Sequence, residues 1–451
     1  MKTKKILTLL FLATVLVSQA QINFTQHLVS NTANGAYIVN ATDVDGDGDI
    51  DILSASYDNN KIAWYENIGN QSFTEHIVSD TAAGAFYVLA IDLDNDNDID
   101  IITTLYGGGR ILWFENNGSQ TFTEHTVANV TSPMGLFVID VDGDNDLDLL
   151  SATETNGNKI LWYENNGSQI FTEHLISDSV LLAQSVFAID VDSDGDIDVL
   201  SASNNDNKIS WYENNGSQSF TEHIISDTAN VATSVFAIDV DGDNDIDILS
   251  SSAGDDKIAL YENNGSQVFT EHIISTNADG ALFVFAIDVD TDGDIDALSA
   301  SAYGDEIAWY ENNGSQIFTK HAITTNANLA TSVFAIDMDN DNDIDVLSSS
   351  YGDNKITLYE NTGSVSINKS NSQTHINLMP NPTKGKMQIA ISDELLGSSI
   401  EIVDINGRII MQLIVKQSGN LTIDLSQQAK GLYIIKLIGK DFVSTQKLIL
   451  E

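Results

Sequence analysis

Apolar residues along this chain come in short runs rich in Val, Ile, Phe, Trp and Tyr, and each run is closed by Gly, Asn or Asp. Residues 234–275, SVFAIDVDGDNDIDILSSSAGDDKIALYENNGSQVFTEHIIS, show the pattern once through. β-Branched and aromatic runs between turn residues read as strands. Four are predicted here: Val235 to Ile238, Ile248 to Ser251, Lys257 to Glu262 and Phe269 to Ile274. An acidic loop joins the first two, and Asn263-Asn264-Gly265 turns the third into the fourth. The unit repeats, its acidic loop starting at Asp43, Asp92, Asp140, Asp190, Asp239, Asp288 and Asp337, at intervals of 49, 48, 50, 49, 49 and 49 residues. Four short strands per repeat of this length predict propeller blades. The expected fold class is all-β: a seven-bladed β-propeller followed by a small C-terminal β-sandwich.

The order of elements at the two ends bears on closure. The first repeated element is Phe24-Thr25-Gln26-His27, a fourth-strand sequence that recurs at Phe73, Phe122, Phe171, Phe220, Phe269 and Phe318. The last repeat has its third strand at Lys355 to Glu360 and then no fourth. Residues 24–30 are therefore expected to supply the missing strand of the last blade, which leaves no open edge at the seam.

Charge divides the chain further. The formal net charge is −47 over 451 residues, with 59 acidic and 8 basic side chains in residues 21–375 and 7 and 8 in residues 376–451. Such an anionic surface disfavours nucleic acid and anionic membranes. The 42% apolar content is ample for large cores, so the acidity does not imply disorder. Residues 1–20 read as a secretory signal: Lys2, Lys4 and Lys5, an apolar run from Ile6 to Val17, and small residues before the expected cut after Ala20. Cysteine is absent, and in an exported protein metal ions can staple loops as disulfides do elsewhere. Residues 21–364 hold the repeats, 365–375 are a polar linker, and 376–451 form a second domain with strand-like runs at Met387 to Ile391, Ile400 to Asp404, Ile409 to Val415, Leu421 to Leu425, Gly431 to Ile438 and Ser444 to Leu450.

The acidic loops carry the clearest chemistry. Each places Asp at relative positions 1, 3, 5, 7 and 9 and Gly or Asn at position 6. Alternate oxygen ligands around a sharp turn suit a hard cation such as Ca²⁺, and Gly, or less easily Asn, tolerates the positive φ the turn demands. Side chains 1, 3, 5 and 9 and the carbonyl of residue 7 are the expected ligands. The candidate metal residues are Asp43, Asp45, Asp47, Asp49 and Asp51; Asp92, Asp94, Asp96, Asp98 and Asp100; Asp140, Asp142, Asp144, Asp146 and Asp148; Asp190, Asp192, Asp194, Asp196 and Asp198; Asp239, Asp241, Asp243, Asp245 and Asp247; Asp288, Asp290, Asp292, Asp294 and Asp296; and Asp337, Asp339, Asp341, Asp343 and Asp345. So many carboxylates so close together repel one another without a cation.

Other repeated residues read as structural. Seven histidines, one per repeat, sit in the fourth-strand element, too far apart around a ring to share a metal. The Trp-Tyr pairs of the third strand, such as Trp64-Tyr65, alternate faces and suit packing between blades. Irregularity is confined to the loops joining strands two and three and strands four and one, which share one face of a propeller. A site for one particular partner needs varied residues, so Tyr57, Tyr106, Tyr303 and Tyr351 in those loops are the candidate partner-binding residues, on the face opposite the acidic loops.

The loops, as Asp43, Asp45, Asp47 and Asp51 in the first copy and their equivalents in the others, resemble the FG-GAP and VCBS repeats best known from integrin α heads. The resemblance covers nearly all of residues 22–364 and implies a calcium-binding propeller. Asn97, Asn145, Asn244 and Asn342 depart from the family's Gly at position 6. The C-terminal domain resembles the type IX secretion sorting domain of Gram-negative bacteria, in Pro380-Asn381-Pro382, Gly385, Val403 to Arg408, Gly431-Leu432-Tyr433 and Lys447 to Glu451. That implies the type IX machinery as a partner and a secreted or outer-surface location. Three readings stand: a binding or adhesion module for glycans or proteins, a polysaccharide-degrading enzyme, and a passive structural module. The acidic and histidine positions belong to the sevenfold repeat and the irregular stretches carry no acid/base pair, so a non-enzymatic, monomeric binding module is expected.

Overall fold

In this computed structural model the described residues are 22–154 and 157–364, then 378–379, 383–391, 395–404, 409–426, 428, 430–438 and 443–450. The expected signal at 1–20, the linker at 365–375, Pro380-Asn381-Pro382 and the turn at 405–408 lie outside them. Gln21–Ser364 is one compact unit, and the strands from Leu378 onward belong to a second.

Strands β1 (Ile22–Ser30), β2 (Ala36–Thr42), β3 (Asp51–Ser56), β4 (Lys61–Asn67) and β5 (Phe73–Ser79) open the first unit. β2 to β5 form one antiparallel four-stranded sheet in sequence order, and this arrangement recurs to give seven such sheets. The first strands of the later sheets are Ala85–Ile91, Pro133–Ile139, Ala183–Ile189, Ala232–Ile238, Ala281–Ile287 and Ala330–Ile336. Each packs against the next, and Ala330–Ile336 packs back on β2, so the ring closes. The seventh sheet takes its outer strand from the other end of the unit: β1 pairs antiparallel with Lys355–Ser364, His27 opposite Leu358.

The burial pattern explains the layering. β3 is buried throughout, since both its faces meet neighbouring sheets, whereas β5 has no fully buried residue. Interfaces between sheets are apolar: Ile52 and Tyr65 of the first sheet pack with Leu347 and Leu358 of the seventh. Around the axis, Phe137, Phe187, Phe236, Phe285 and Phe334 follow one another at centroid distances of 4.6 to 5.1 Å. The first strand begins earlier than the apolar pattern predicts, at Ala232 rather than Val235, through a register irregularity between Ala232 and Ser234. Thr233 and Ser234 are small enough for the crowded centre and are buried there, which hydrophobic alternation cannot signal.

In the second unit, Leu378–Met379, Lys386–Ile391 and Gly419–Asp424 form one sheet, and Ile409–Ile414, Ser399–Asp404, Gly431–Ile438 and Val443–Leu450 form another. Met387, Ile389, Ile402, Ile423, Ile435 and Leu448 are buried in one core between them. The whole is all-β, a propeller followed by a small β-domain.

Candidate functional site

Each acidic loop is folded by its own carboxylates. Asp43 accepts from the backbone N–H groups of Gly46 (2.8 Å), Asp47 (3.2 Å) and Gly48 (3.0 Å), and Asp47 accepts from the N–H of Asp49 (2.9 Å). Position 6 has positive φ in every copy, from 73° at Asn145 to 100° at Gly293. Position 4 does too, which the sequence reading did not anticipate: it holds Gly46, Asn95, Gly143, Ser193, Gly242, Thr291 and Asn340.

Position 9 leaves the loop into strand two and is buried. Asp51 accepts from the N–H of Val44 through Oδ2 (3.0 Å) and from that of Asn67 through Oδ1 (2.8 Å), and all seven copies repeat this clamp. Burial pushes these carboxyls up, to about 7 at Asp51, Asp296 and Asp345 and about 6 at Asp100, Asp148, Asp198 and Asp247. Position 3 is also raised, first by burial and then by the neighbouring Asp at position 5, as at Asp45, Asp94 and Asp142.

Carboxylate oxygens converge in these loops. Those of Asp43, Asp45 and Asp51 lie within 4.8 Å of one another, as do those of Asp92, Asp94 and Asp96, of Asp140, Asp142 and Asp148, of Asp190, Asp192 and Asp194, and of Asp239, Asp241 and Asp247. Position 7 is absent from these five groups. Its side chain at Asp98, Asp146, Asp196, Asp245, Asp294 and Asp343 lies instead over the glycine of the adjacent hairpin, Gly118 in the case of Asp98. The donor set fits a hard, oxygen-seeking cation. At Asp94 the fit is specific, because Oδ1 is buried without a hydrogen-bond partner, a state that a bound ion would relieve.

The histidines are structural. Each meets a glutamate of strand three, as in His76–Glu66 at 2.7 Å and His174–Glu164 at 2.6 Å. Five of them stack on the Trp opposite, such as Trp64–His76 with centroids 4.5 Å apart.

Irregular residues gather at the axis. In every sheet the first residue after strand two is pinned by its N–H to a carbonyl of the preceding loop: Tyr57 to Gly35, Tyr106 to Gly84, Glu154 to Ser132, Ala302 to Gly280 and Tyr351 to Leu329, at 2.9 to 3.0 Å. Tyr57, Tyr106, Glu154 and Tyr351 therefore occupy equivalent places in four consecutive sheets. With Tyr37, Phe86 and Met134 of the first strands they line a cleft of about 230 Å³. Tyr37 and Phe86 are in ring contact at 3.9 Å, Phe86 and Tyr106 at 6.2 Å, and Tyr57 and Tyr106 at 6.1 Å. The Tyr106 hydroxyl donates to Glu154 (2.6 Å) and that of Tyr351 to Asp58 (3.0 Å). Burial, then the charge of Glu154, holds the Tyr37 phenol well above its usual range.

Three of the four tyrosines singled out from sequence thus meet. Tyr303 does not. It stands one position later in its loop, where Ala302 holds the pinned place, and it is 72% exposed with its ring over Gly280. Tyr37, Phe86 and Glu154 were missed as a set. Their signal was departure from the repeat: the equivalents of Tyr37 and Phe86 are Thr233 and Thr331 in two other sheets.

Ring closure, seven repeated sheets and oxygen-rich loops define a repeat-built β-propeller with loops suited to a divalent cation. The FG-GAP-like repeat family matches residues 43–103, 92–151, 140–201, 190–250, 239–299 and 288–348, and the chain belongs to that family. Residues 377–451 match the secretion system C-terminal sorting domain. That tail is the element recognised by the type IX machinery, and it assigns the protein to the cell surface or the medium of a Gram-negative bacterium. No curated protein sequence matches the chain. Among solved structures, an Agrocybe aegerita lectin described as recognising non-reducing terminal N-acetylglucosamine aligns over 64% of this chain and 81% of its own, at 19% identity and a TM-score of 0.48.

Proposed function

We propose that this protein is a calcium-loaded binding module of the cell surface or medium, holding a glycan or protein partner at the axial cleft on the face away from the acidic loops. One observation carries the reading. The cleft breaks the sevenfold symmetry, gathering Tyr37, Tyr57, Phe86, Tyr106 and Tyr351 into one aromatic surface with Glu154 at its side. A ring of equal loops presents equal sites, whereas this arc presents one. Aromatic rings with polar tips give large contact area at small entropic loss. Asp43, Asp45 and Asp51, with their counterparts in the other loops, would hold Ca²⁺. Its role there is to neutralise the clustered carboxylates and brace the opposite face, with no part in chemistry.

The test is the full chain in calcium on a glycan array, in a pull-down from surface extracts and on a polysaccharide-degradation panel. Binding without degradation is expected. It should fall at least about tenfold in Tyr57→Ala/Tyr106→Ala/Tyr351→Ala, the loss typical of removing central aromatic contacts, while calcium-dependent melting is unchanged. Tyr303→Ala should leave binding intact. Turnover of any polysaccharide would favour the enzyme reading, and full affinity in the triple variant would move the site off the cleft.

A further inference from the structure

The cleft's hydrogen-bonding character narrows what it can hold. Its walls are aromatic side chains and that of Met134, its charged group is the Glu154 carboxylate, and Asp58, outside the lining, accepts from the Tyr351 hydroxyl. Two of its hydroxyls, those of Tyr106 and Tyr351, already donate their protons to these carboxylates. Lys and Arg are absent from the lining. Of the cations that start strand three in the four sheets of the cleft, Lys61 pairs with Glu75 at 2.5 Å, Arg110 with Glu124 at 3.3 Å and Lys355 with Asp353 at 2.6 Å, and Lys159 is outside the lining. The cleft therefore joins aromatic rings to a carboxylate, its available donors being the Tyr37 and Tyr57 hydroxyls, in a chain of net charge −47. A carboxylate or phosphate would face the Glu154 carboxylate there with no cation in the lining to offset it.

We propose that the axial cleft selects an organic ammonium group, a positively charged nitrogen carrying carbon substituents, presented by its partner. The rings of Tyr37, Tyr57, Phe86 and Tyr106 attract such a cation through their faces while burying its carbons. Glu154 and Asp58 supply the countercharge, each steered by the tyrosine that bonds it. This rests on the axial cleft being the partner site and adds the chemistry of what enters it.

The experiment compares choline with the neutral alcohol in which a tert-butyl group replaces the trimethylammonium, each titrated up to tens of millimolar into the calcium-loaded full chain and read by tyrosine fluorescence and calorimetry. The two probes have nearly the same shape and differ in charge. Choline should bind roughly tenfold tighter, the scale of a desolvated cation–π contact. Asp58→Asn/Glu154→Gln should shrink that preference to about twofold or less while leaving melting in calcium unchanged, and Tyr106→Phe should weaken choline by releasing Glu154 from its place. Equal binding of the two probes, no binding of either, or a preference untouched by the double carboxamide variant would each overturn the ammonium assignment. The outcomes stay separable from the broader reading. If array or pull-down binding falls in the tyrosine triple variant but choline shows no preference, the cleft remains the partner site and only the ammonium class is wrong. If choline is preferred but the captured partner ignores the triple variant, the partner binds elsewhere.

Discussion

Thr291 sits at φ 58°, at a loop position that three other copies fill with Gly46, Gly143 and Gly242. Its Cβ crowds the backbone in that left-handed conformation, and β-branched residues suffer most there. Thr291→Gly is expected to stabilise the chain by about 1 kcal/mol, and the reverse change Gly242→Thr to destabilise it by about as much, both measured by denaturant melts at fixed calcium. The buried carboxyls at position 9 predict a pH effect. They titrate near 6 to 7 in the folded chain but near ~4 when unfolded. Between those values the folded state binds more protons, so stability without metal is present at the acid end and lost as pH rises through the folded pKa. The proposed Ca²⁺ would require the ionised form, and its affinity should rise across the same window. In chelator the chain should melt higher at about pH 5 than at about pH 8, and in millimolar calcium the difference should shrink or reverse. A chelated chain that grows more stable with rising pH would contradict the role given to these buried groups.

At the scale of elements, β1 decides whether the ring is sealed. It covers the edge of Lys355–Ser364 along its length and joins residues more than three hundred apart in sequence, as His27 does with Glu360 at 2.7 Å. Deleting residues 22–30 exposes that edge, and unpaired edges recruit other chains. The truncated protein should aggregate or lose many degrees of melting temperature, as light scattering and calorimetry would show. A monomeric truncation of unchanged stability would mean that the seam needs no outer strand. The acidic loops act at the same scale, each pinning strand one to strand two and to the hairpin beyond. About seven Ca²⁺ per chain are expected, with affinities of ~10⁻⁴ to 10⁻³ M, the range of extracellular modules. Binding to the folded state alone should raise the melting temperature with calcium concentration, and a melt indifferent to chelation would remove calcium from the account.

For the whole molecule, the two units have separate cores: Met387, Ile402 and Leu448 belong to one cluster, while each propeller cluster draws on neighbouring sheets. Deleting residues 376–451 should leave the propeller folded and calcium-responsive but retained inside the cell, as fractionation would reveal. A truncated chain found in the medium at wild-type levels would separate export from the tail. The ring also sets what one molecule can offer a partner. Seven acidic loops repeat around one face, and the residues that differ from blade to blade meet at the axis of the other.

What the sequence determined by itself was most of what repeats or acts locally. Strand positions followed from alternation and turn residues, the ring from the period, and the seam from a fourth-strand sequence standing first in the chain. The acidic loops were legible because their carboxylates lie within nine residues, where spacing alone brings oxygens together. Even there, the burial of position 9 and its bonds to Val44 and Asn67 depended on the hairpin sixteen residues away. The axial cleft was only half legible. Its tyrosines stood out as departures from the repeat, but Tyr303 looked equal to Tyr57, Tyr106 and Tyr351. The tertiary structure separated them by one residue of loop register: Ala302 holds the pinned place that Tyr57 has in its own sheet, and the Tyr303 ring lies over Gly280. Tyr37 and Tyr351 reach one cleft from opposite ends of the propeller sequence because the closed ring makes the first and last blades neighbours, a proximity that no local pattern encodes.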